Sequence, residues 1–128
     1  MAYYFAKTLP VGFDEALQRA RDALQKEGFG VVTEIDVKNT FKAKLGIEFR
    51  NYRILGACNP SLALLALQID DKVGTMLPCN VVVQDAGEGQ TEVAAIDPVA
   101  SMQAIDNQDL KEAASEVQAK LRKVIQNL

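Results

Sequence analysis

Two cysteine–asparagine pairs, Cys58-Asn59 and Cys79-Asn80, are the residues of this sequence best equipped for chemistry. A thiolate is both a nucleophile and a ligand for soft metals, and it forms most readily at a helix N-terminus or beside a positive charge. Asn59-Pro60 is typical of the N-cap and first position of a helix. The Cys58 thiol would then lie at the positive end of a helix dipole, so Cys58 is the better candidate nucleophile or ligand.

Structural roles are sufficient to explain Cys79, Asn59 and Asn80. Cys79 has the same strand parity as Val81 and Val83, which predicts a thiol buried among apolar side chains that oppose its ionisation. Asn59 is explained by helix capping alone. Asn80 shares a strand face with Val82, where a hydrogen bond at a sheet edge or turn is sufficient reason for it. For both cysteines, and more so for Cys79, the simpler interpretation is a small packing residue.

Three carboxylates are further candidates. Glu34 and Asp36 lie on one face of a predicted strand, about 7 Å apart by strand geometry, and could form an acid/base or metal-binding pair. The solvated face of a strand explains them as well. Asp97, which precedes Pro98, could handle protons, although its simplest role is to end a strand.

Composition excludes several classes of function. The 128 residues include no histidine, which rules out Ser-His-Asp triads and imidazole ligands. The net charge of −3 disfavours nucleic acid as a partner. The longest apolar run, Leu62 to Leu67, is far shorter than the roughly 20 residues that span a bilayer, and we expect no membrane association. With two cysteines and no secretory signal, a cytoplasmic protein with reduced thiols is expected.

Apolar periodicity, caps and turns predict strands alternating with helices. The strands are predicted at 2–7, 31–37, 48–57, 77–83 and 91–97, and the helices after Gly12, over 38–45, from Pro60 to Ile69 and after Asp106 or Asn107. Gly28 and Gly46 are predicted to end the first two helices. The loop 86–89 is predicted to join the last two strands as a hairpin.

These elements predict one domain over residues 1–128 with a two-layer α+β fold. Its mixed or antiparallel sheet would have about five strands, with the first and last helices packed on one face. Apolar residues such as Tyr52 and Ile54 are expected on the other face as well. A second copy of the chain is an economical cover for that face, so we expect a homodimer.

Five segments of the sequence carry a resemblance to a known family: 27–37, 44–46, 52–60, 77–83 and 97–98. The most specific are Gly-Ala-Cys-Asn-Pro at 56–60 and Leu-Pro-Cys-Asn-Val at 77–81. Together they resemble the domain of unknown function 302 family of bacteria and archaea, over nearly the whole chain. The resemblance implies a small α+β domain that often forms dimers, with these positions on the family's pattern: Glu34, Cys58, Asn59, Pro60, Cys79, Asn80 and Asp97.

Two functional hypotheses remain open. In the first, the protein is a dimeric, non-catalytic binding module whose pocket, built around Cys58, Asn59, Asn80 and Glu34, holds a small ligand or a soft metal ion. In the second, it is a thiol-dependent enzyme or redox protein that uses Cys58, with Glu34 or Asp97 handling protons. We favour the first because a catalytic cysteine usually has a base to activate it and the chain has no histidine. The sequence identifies no cofactor and no substrate.

Overall fold

The computed structural model of the chain describes residues 2–128. Its elements, in chain order, are β1 (Tyr4–Leu9), α1 (Phe13–Lys26), β2 (Gly30–Asp36), α2 (Val37–Leu45), β3 (Tyr52–Cys58), α3 (Pro60–Ile69), a 3₁₀ helix (Asp71–Met76), β4 (Cys79–Gly87), β5 (Gln90–Ile96), α4 (Pro98–Ser101) and α5 (Gln108–Gln126).

The five strands form one sheet in the order β1-β5-β4-β3-β2, and every neighbouring pair is antiparallel. Helices α1 and α5 pack against one face, which we call the helix-bearing face, and also against each other. The predicted α+β fold with about five strands and helices on one face is therefore confirmed, and the sheet is purely antiparallel. We call the opposite surface of the sheet the open face.

The main core lies between the helix-bearing face and the helices α1 and α5. Leu55 on β3, Val81 on β4 and Val93 on β5 are fully buried there against Leu24 and Leu121 of the two helices. A smaller cluster lies beside it, where Val73 and Leu110 are buried between α3, the 3₁₀ helix and α5. Helix α5 contributes to both clusters and so links them.

The helix ends follow the predicted chemistry. Asn59 caps α3, its Oδ1 accepting a hydrogen bond from the Leu62 N–H at 3.3 Å, and Asn107 caps α5 through the Leu110 N–H at 3.0 Å. Gly28 and Gly46 follow α1 and α2 with φ of 84° and 66°, a conformation that costs glycine least. These helices could be located from sequence because each boundary depends only on nearby residues.

Several strand predictions need correction. Regular alternation along β2 was expected, but a bulge between Val31 and Thr33 shifts the register against β3. Val31 therefore faces the core together with Glu34 and Asp36, whereas Thr33 lies on the open face. Helix α2 already begins at Val37, the third strand begins at residue 52 rather than 48, and the fourth begins at residue 79 rather than 77. The two residues before Cys79 are not paired in the ladder.

The segment after β5 was also expected to be simpler than it is. Asp97-Pro98 does end a strand, but it also starts the short helix α4. No helix among residues 2–128 combines the length and the apolar character required to cross a membrane.

Candidate functional site

A cavity of about 320 Å³ lies at the end of the sheet where β3 meets α3. We call it the thiol cavity, because Cys58 and Cys79 both line it. The rest of its wall comes from Phe29 and Val32 around the start of β2, from the inner side of α3, from the 3₁₀ helix and the residues between it and β4, from α4 and its C-terminal end, and from α5. Small residues of the two helices, such as Ala63 and Ala113, leave the space unfilled.

The strands β3 and β4 bring the two thiols together. Ala57 is the register partner of Cys79, so Cys58 follows directly after a residue paired with Cys79. Cys58 is half-buried at the last position of β3, and Asn59 then starts α3. The Asn59 side chain also lies close to the turn after α1, where a Cβ on Gly28 would come within 3.2 Å of the Asn59 Nδ2.

Gly56 explains the first position of the Gly-Ala-Cys-Asn-Pro segment. A Cβ at this position would overlap the Thr33 side chain and would lie 2.6 Å from the Cγ of Pro78. Thr33 of β2 and Pro78, which directly precedes β4, thus both pack against the backbone of β3 at Gly56. This contact fixes the residue before Cys79 against the strand that ends in Cys58.

The two thiols lie in different surroundings. Cys79 is 8% exposed among the apolar side chains of the main core. Burial, reinforced by the nearby Cys58, raises the pKa of the Cys79 thiol to about 11. Cys79 therefore stays a neutral thiol at physiological pH, as its strand parity predicts. Cys58 is only half-buried and is the more accessible of the two.

The thiol cavity is apolar throughout most of its wall. Of the described residues that line it, none carries a charged side chain, and Asn59 contributes the only side-chain amide. The Oδ1 of that amide is engaged in capping α3. Within residues 2–128, no group of three or more Cys, Asp or Glu side chains is placed to hold a metal ion.

Glu34 lies outside the cavity, on the helix-bearing face near α1. Its carboxylate pairs with Arg21 of α1 and lies 3.6 Å from a guanidinium nitrogen of Arg53. Asp36 lies 3.3 Å from Arg53 and also accepts a hydrogen bond from the Asn39 N–H at the start of α2. The expected acid/base or metal pair is therefore a partly exposed network with two arginines.

Asn80 and Asp97 are also separated from the thiols. Asn80 is exposed on the open face, because residues 79 and 80 point to opposite sides of β4. The Asp97 carboxylate accepts hydrogen bonds from the N–H groups of Val99 and Ala100 and from the side chain of Gln118. Asp97 thus fastens α4 to α5. Asp97 itself does not line the thiol cavity, although the next residue, Pro98, does.

The structure consequently brings together Cys58, Asn59 and Cys79, and it does not bring Asn80, Glu34 or Asp97 to them. The helical wall of the cavity was not singled out from sequence. Its signal was the run of small residues Ala113-Ala114 on α5 and Ala63 and Ala66 on α3, which look like ordinary core positions.

Comparison with known proteins identifies the family to which the chain belongs. Residues 5–128 match the model of the family described as domain of unknown function DUF302. The chain belongs to this family. A crystal structure of an uncharacterised conserved DUF302 protein from Bacillus stearothermophilus is similar over 99% of this chain and 98% of that one, with a TM-score of 0.90 and 27% sequence identity. The fold implied by the Cys-Asn segments is therefore the DUF302 fold.

No significant match is found among curated proteins.

Proposed function

We propose that this DUF302 protein is a non-catalytic binding module that holds a small apolar molecule in the thiol cavity. The observation that carries the proposal is the cavity itself, about 320 Å³ of space walled by apolar side chains. Ligand sites in proteins commonly have volumes from about 300 to 1,000 Å³ and are lined mainly by apolar groups with a few polar ones. The two thiols and Asn59 are the polar groups here.

The lining also defines the class of ligand. A charged group in this cavity would lose its hydration and meet no oppositely charged side chain, which is strongly unfavourable. The part of the ligand inside the cavity is therefore neutral. A charged end is compatible only with the solvent-accessible margin, where Val32 and Leu67 are exposed.

A thiol-dependent enzyme is less well supported. A cysteine nucleophile is activated by an adjacent base or by a neighbouring positive charge, and the described wall of the cavity has no basic or charged side chain; beside Cys58 it offers the N-terminus of α3 alone. Cys79 cannot serve as that base, because its pKa is raised to about 11. A soft metal ion would find two thiols in one chain, whereas structural zinc sites have four ligands.

Fluorescence of N-phenyl-1-naphthylamine, an uncharged apolar dye that brightens on leaving water, tests the proposal. The wild-type protein should bind the dye saturably, and the bound dye should slow alkylation of Cys58. Ala63→Phe places a ring into the cavity from α3 and should weaken binding by at least roughly tenfold, or 1.4 kcal/mol.

Leu64→Phe is the matched control. Leu64 neighbours Ala63 on the same helix but is 58% exposed and does not line the cavity. This variant should bind the dye like the wild type. Equal effects of the two substitutions, or binding that leaves the alkylation of Cys58 unchanged, would place the dye elsewhere and contradict the proposal.

We also propose that the protein is a homodimer formed through the open face of the sheet. This face carries half-buried apolar side chains on three adjacent strands, Ile54 on β3, Val82 on β4 and Ala94 on β5. Helices α1 and α5 both lie on the other side. Packing of the face against its own copy would remove these side chains from water.

A further inference from the structure

A groove lies between α3 and α5, separate from the thiol cavity except for the shared wall residue Ala113. Its volume is about 330 Å³. Leu65 and Ile69 of α3 form the apolar side of this groove. Asp109, Glu112 and Glu116 of α5 form the acidic side.

The apolar side belongs to a larger exposed surface. Helix α3 contains no charged residue from Pro60 to Ile69. Leu64 and Leu65 are 58% and 45% exposed, so the side of the helix that turns away from the thiol cavity is also apolar. Contiguous apolar surface next to polar residues is typical of a protein interaction site, unlike isolated exposed leucines.

The acidic side carries charge that this chain does not neutralise. Residues 109, 112 and 116 are spaced by three and four positions and so share one face of α5. The ion pairs of the described part of the chain involve none of these three carboxylates. Asp70 directly follows Ile69 of the apolar side, whereas the carboxylate of Asp71 is paired with Lys72 at 3.2 Å.

We propose that this groove docks an amphipathic helix that carries lysine or arginine beside its apolar stripe. The apolar stripe would pack on Leu65 and Ile69, and the flanking cations would meet Glu112 and Glu116. The same carboxylates repel an acidic helix and an anionic membrane surface, so the sign of the charge selects the partner. This proposal is independent of what occupies the thiol cavity.

A fluorescently labelled 14-residue amphipathic peptide of leucine and lysine is a suitable probe, with the corresponding leucine–glutamate peptide as its comparison. In anisotropy titrations near physiological salt, the lysine peptide should bind saturably and the glutamate peptide should not. Circular dichroism should show the helical content of the lysine peptide rising on binding. No saturable binding of the lysine peptide would overturn the proposal.

Substitutions locate the binding. Glu112→Gln with Glu116→Gln should weaken binding by at least roughly tenfold. Leu65→Ser should weaken it without a change in charge. Asp14→Asn with Asp22→Asn is the matched control, because it removes the same charge from exposed positions on α1 and should leave the affinity nearly unchanged.

Two outcomes would overturn the proposal even if the peptide binds. If the double substitutions on α1 and on α5 weaken peptide binding equally, the peptide is attracted to the overall negative charge of the protein rather than to the groove. Self-association that is lost both in Glu112→Gln/Glu116→Gln and in Lys42→Glu/Lys44→Glu would show that the occupant is the basic helix α2 of a second copy. Sedimentation of the variants without peptide distinguishes this case.

Discussion

At the scale of single residues, the two thiols differ because of where their strands carry them. Cys79 is the first residue of β4 and its side chain lies in the core with Val81, whereas Cys58 is the last residue of β3 and is only half-buried. The same apolar burial that packs Cys79 removes the water that would stabilise its thiolate. Two residues of identical chemistry therefore differ in accessibility.

Selective alkylation is the first expected consequence. In single-cysteine variants, the thiol of Cys58 in the Cys79→Ser protein should react with iodoacetamide faster than the thiol of Cys79 in the Cys58→Ser protein. The reason is that Cys58 is half-exposed, while Cys79 is buried and protonated. Mass spectrometry of time points at pH 8 measures both rates. Equal rates in the folded proteins would contradict the assignment.

The second expected consequence is a loss of stability at alkaline pH. The folded protein raises the pKa of Cys79 from 9.0 to about 11, so between these values the unfolded chain has lost a proton that the folded chain retains. The free energy of unfolding should therefore be unaffected below about pH 8. It should then fall by up to about 2–3 kcal/mol as the pH rises to 11.

Chemical denaturation across this pH range should compare the wild type with Cys79→Ala, which has no thiol to titrate at this position. Ionisation of lysines and tyrosines is common to both proteins and cancels in the difference. Parallel curves for the two proteins would show that the folded state does not shift this thiol.

At the scale of elements, α5 contributes to the core, to the thiol cavity and to the acidic groove. It packs on the sheet through Leu121 and Val124, closes the thiol cavity through Ala113, and forms the acidic side of the groove through Glu112 and Glu116. Its amphipathic pattern and its cap at Asn107 are local signals, which is why its extent could be predicted from sequence.

Replacement of Leu121 by Ala tests the packing of this helix. Leu121 is completely buried, and the loss of its side chain should lower the free energy of unfolding by about 2–5 kcal/mol. Lys120→Ala, one residue away on α5 and less buried, is a control that should change stability little. A loss below about 0.5 kcal/mol for Leu121→Ala would mean that the site does not behave as core.

The elements that sequence did not reveal depend on distant partners. The bulge in β2 is defined against β3, and α4 is stabilised when Gln118 of α5 binds the Asp97 carboxylate. The site shows the same division. The cap at Asn59 and the burial of Cys79 are local or follow strand parity, whereas the cavity arises where α3 and α5 meet across an interval of some fifty residues.

At the scale of the whole molecule, the surfaces are unequally covered. The helices α1 and α5 cover one face of the sheet, and the thiol cavity and the acidic groove both lie beside α3. The open face carries Asn80 and Tyr52 around a shallow recess of about 350 Å³. If a second copy covers this face, Asn80 is an interface residue. A contact with that copy would then explain why the Leu-Pro-Cys-Asn-Val segment has an asparagine at its exposed position.

The dimer proposal makes the last prediction. Val82 lies at the centre of the open face, paired in register with Ile54 on one side and Ala94 on the other. In a two-fold interface every substitution occurs twice, so Val82→Lys would bring like charges together in an apolar contact and should prevent association. Ala86→Lys, at the exposed end of the same strand, adds the same charge outside that centre.

Sedimentation at tens of micromolar measures the outcome. The wild type and Ala86→Lys should sediment with twice the mass of the 14.0 kDa chain, and Val82→Lys with the mass of one chain. A wild-type protein that sediments only as a single chain would exclude the dimer. A dimer that survives Val82→Lys would place the interface on another surface, and the groove variants of α5 would then show whether that surface is the acidic one.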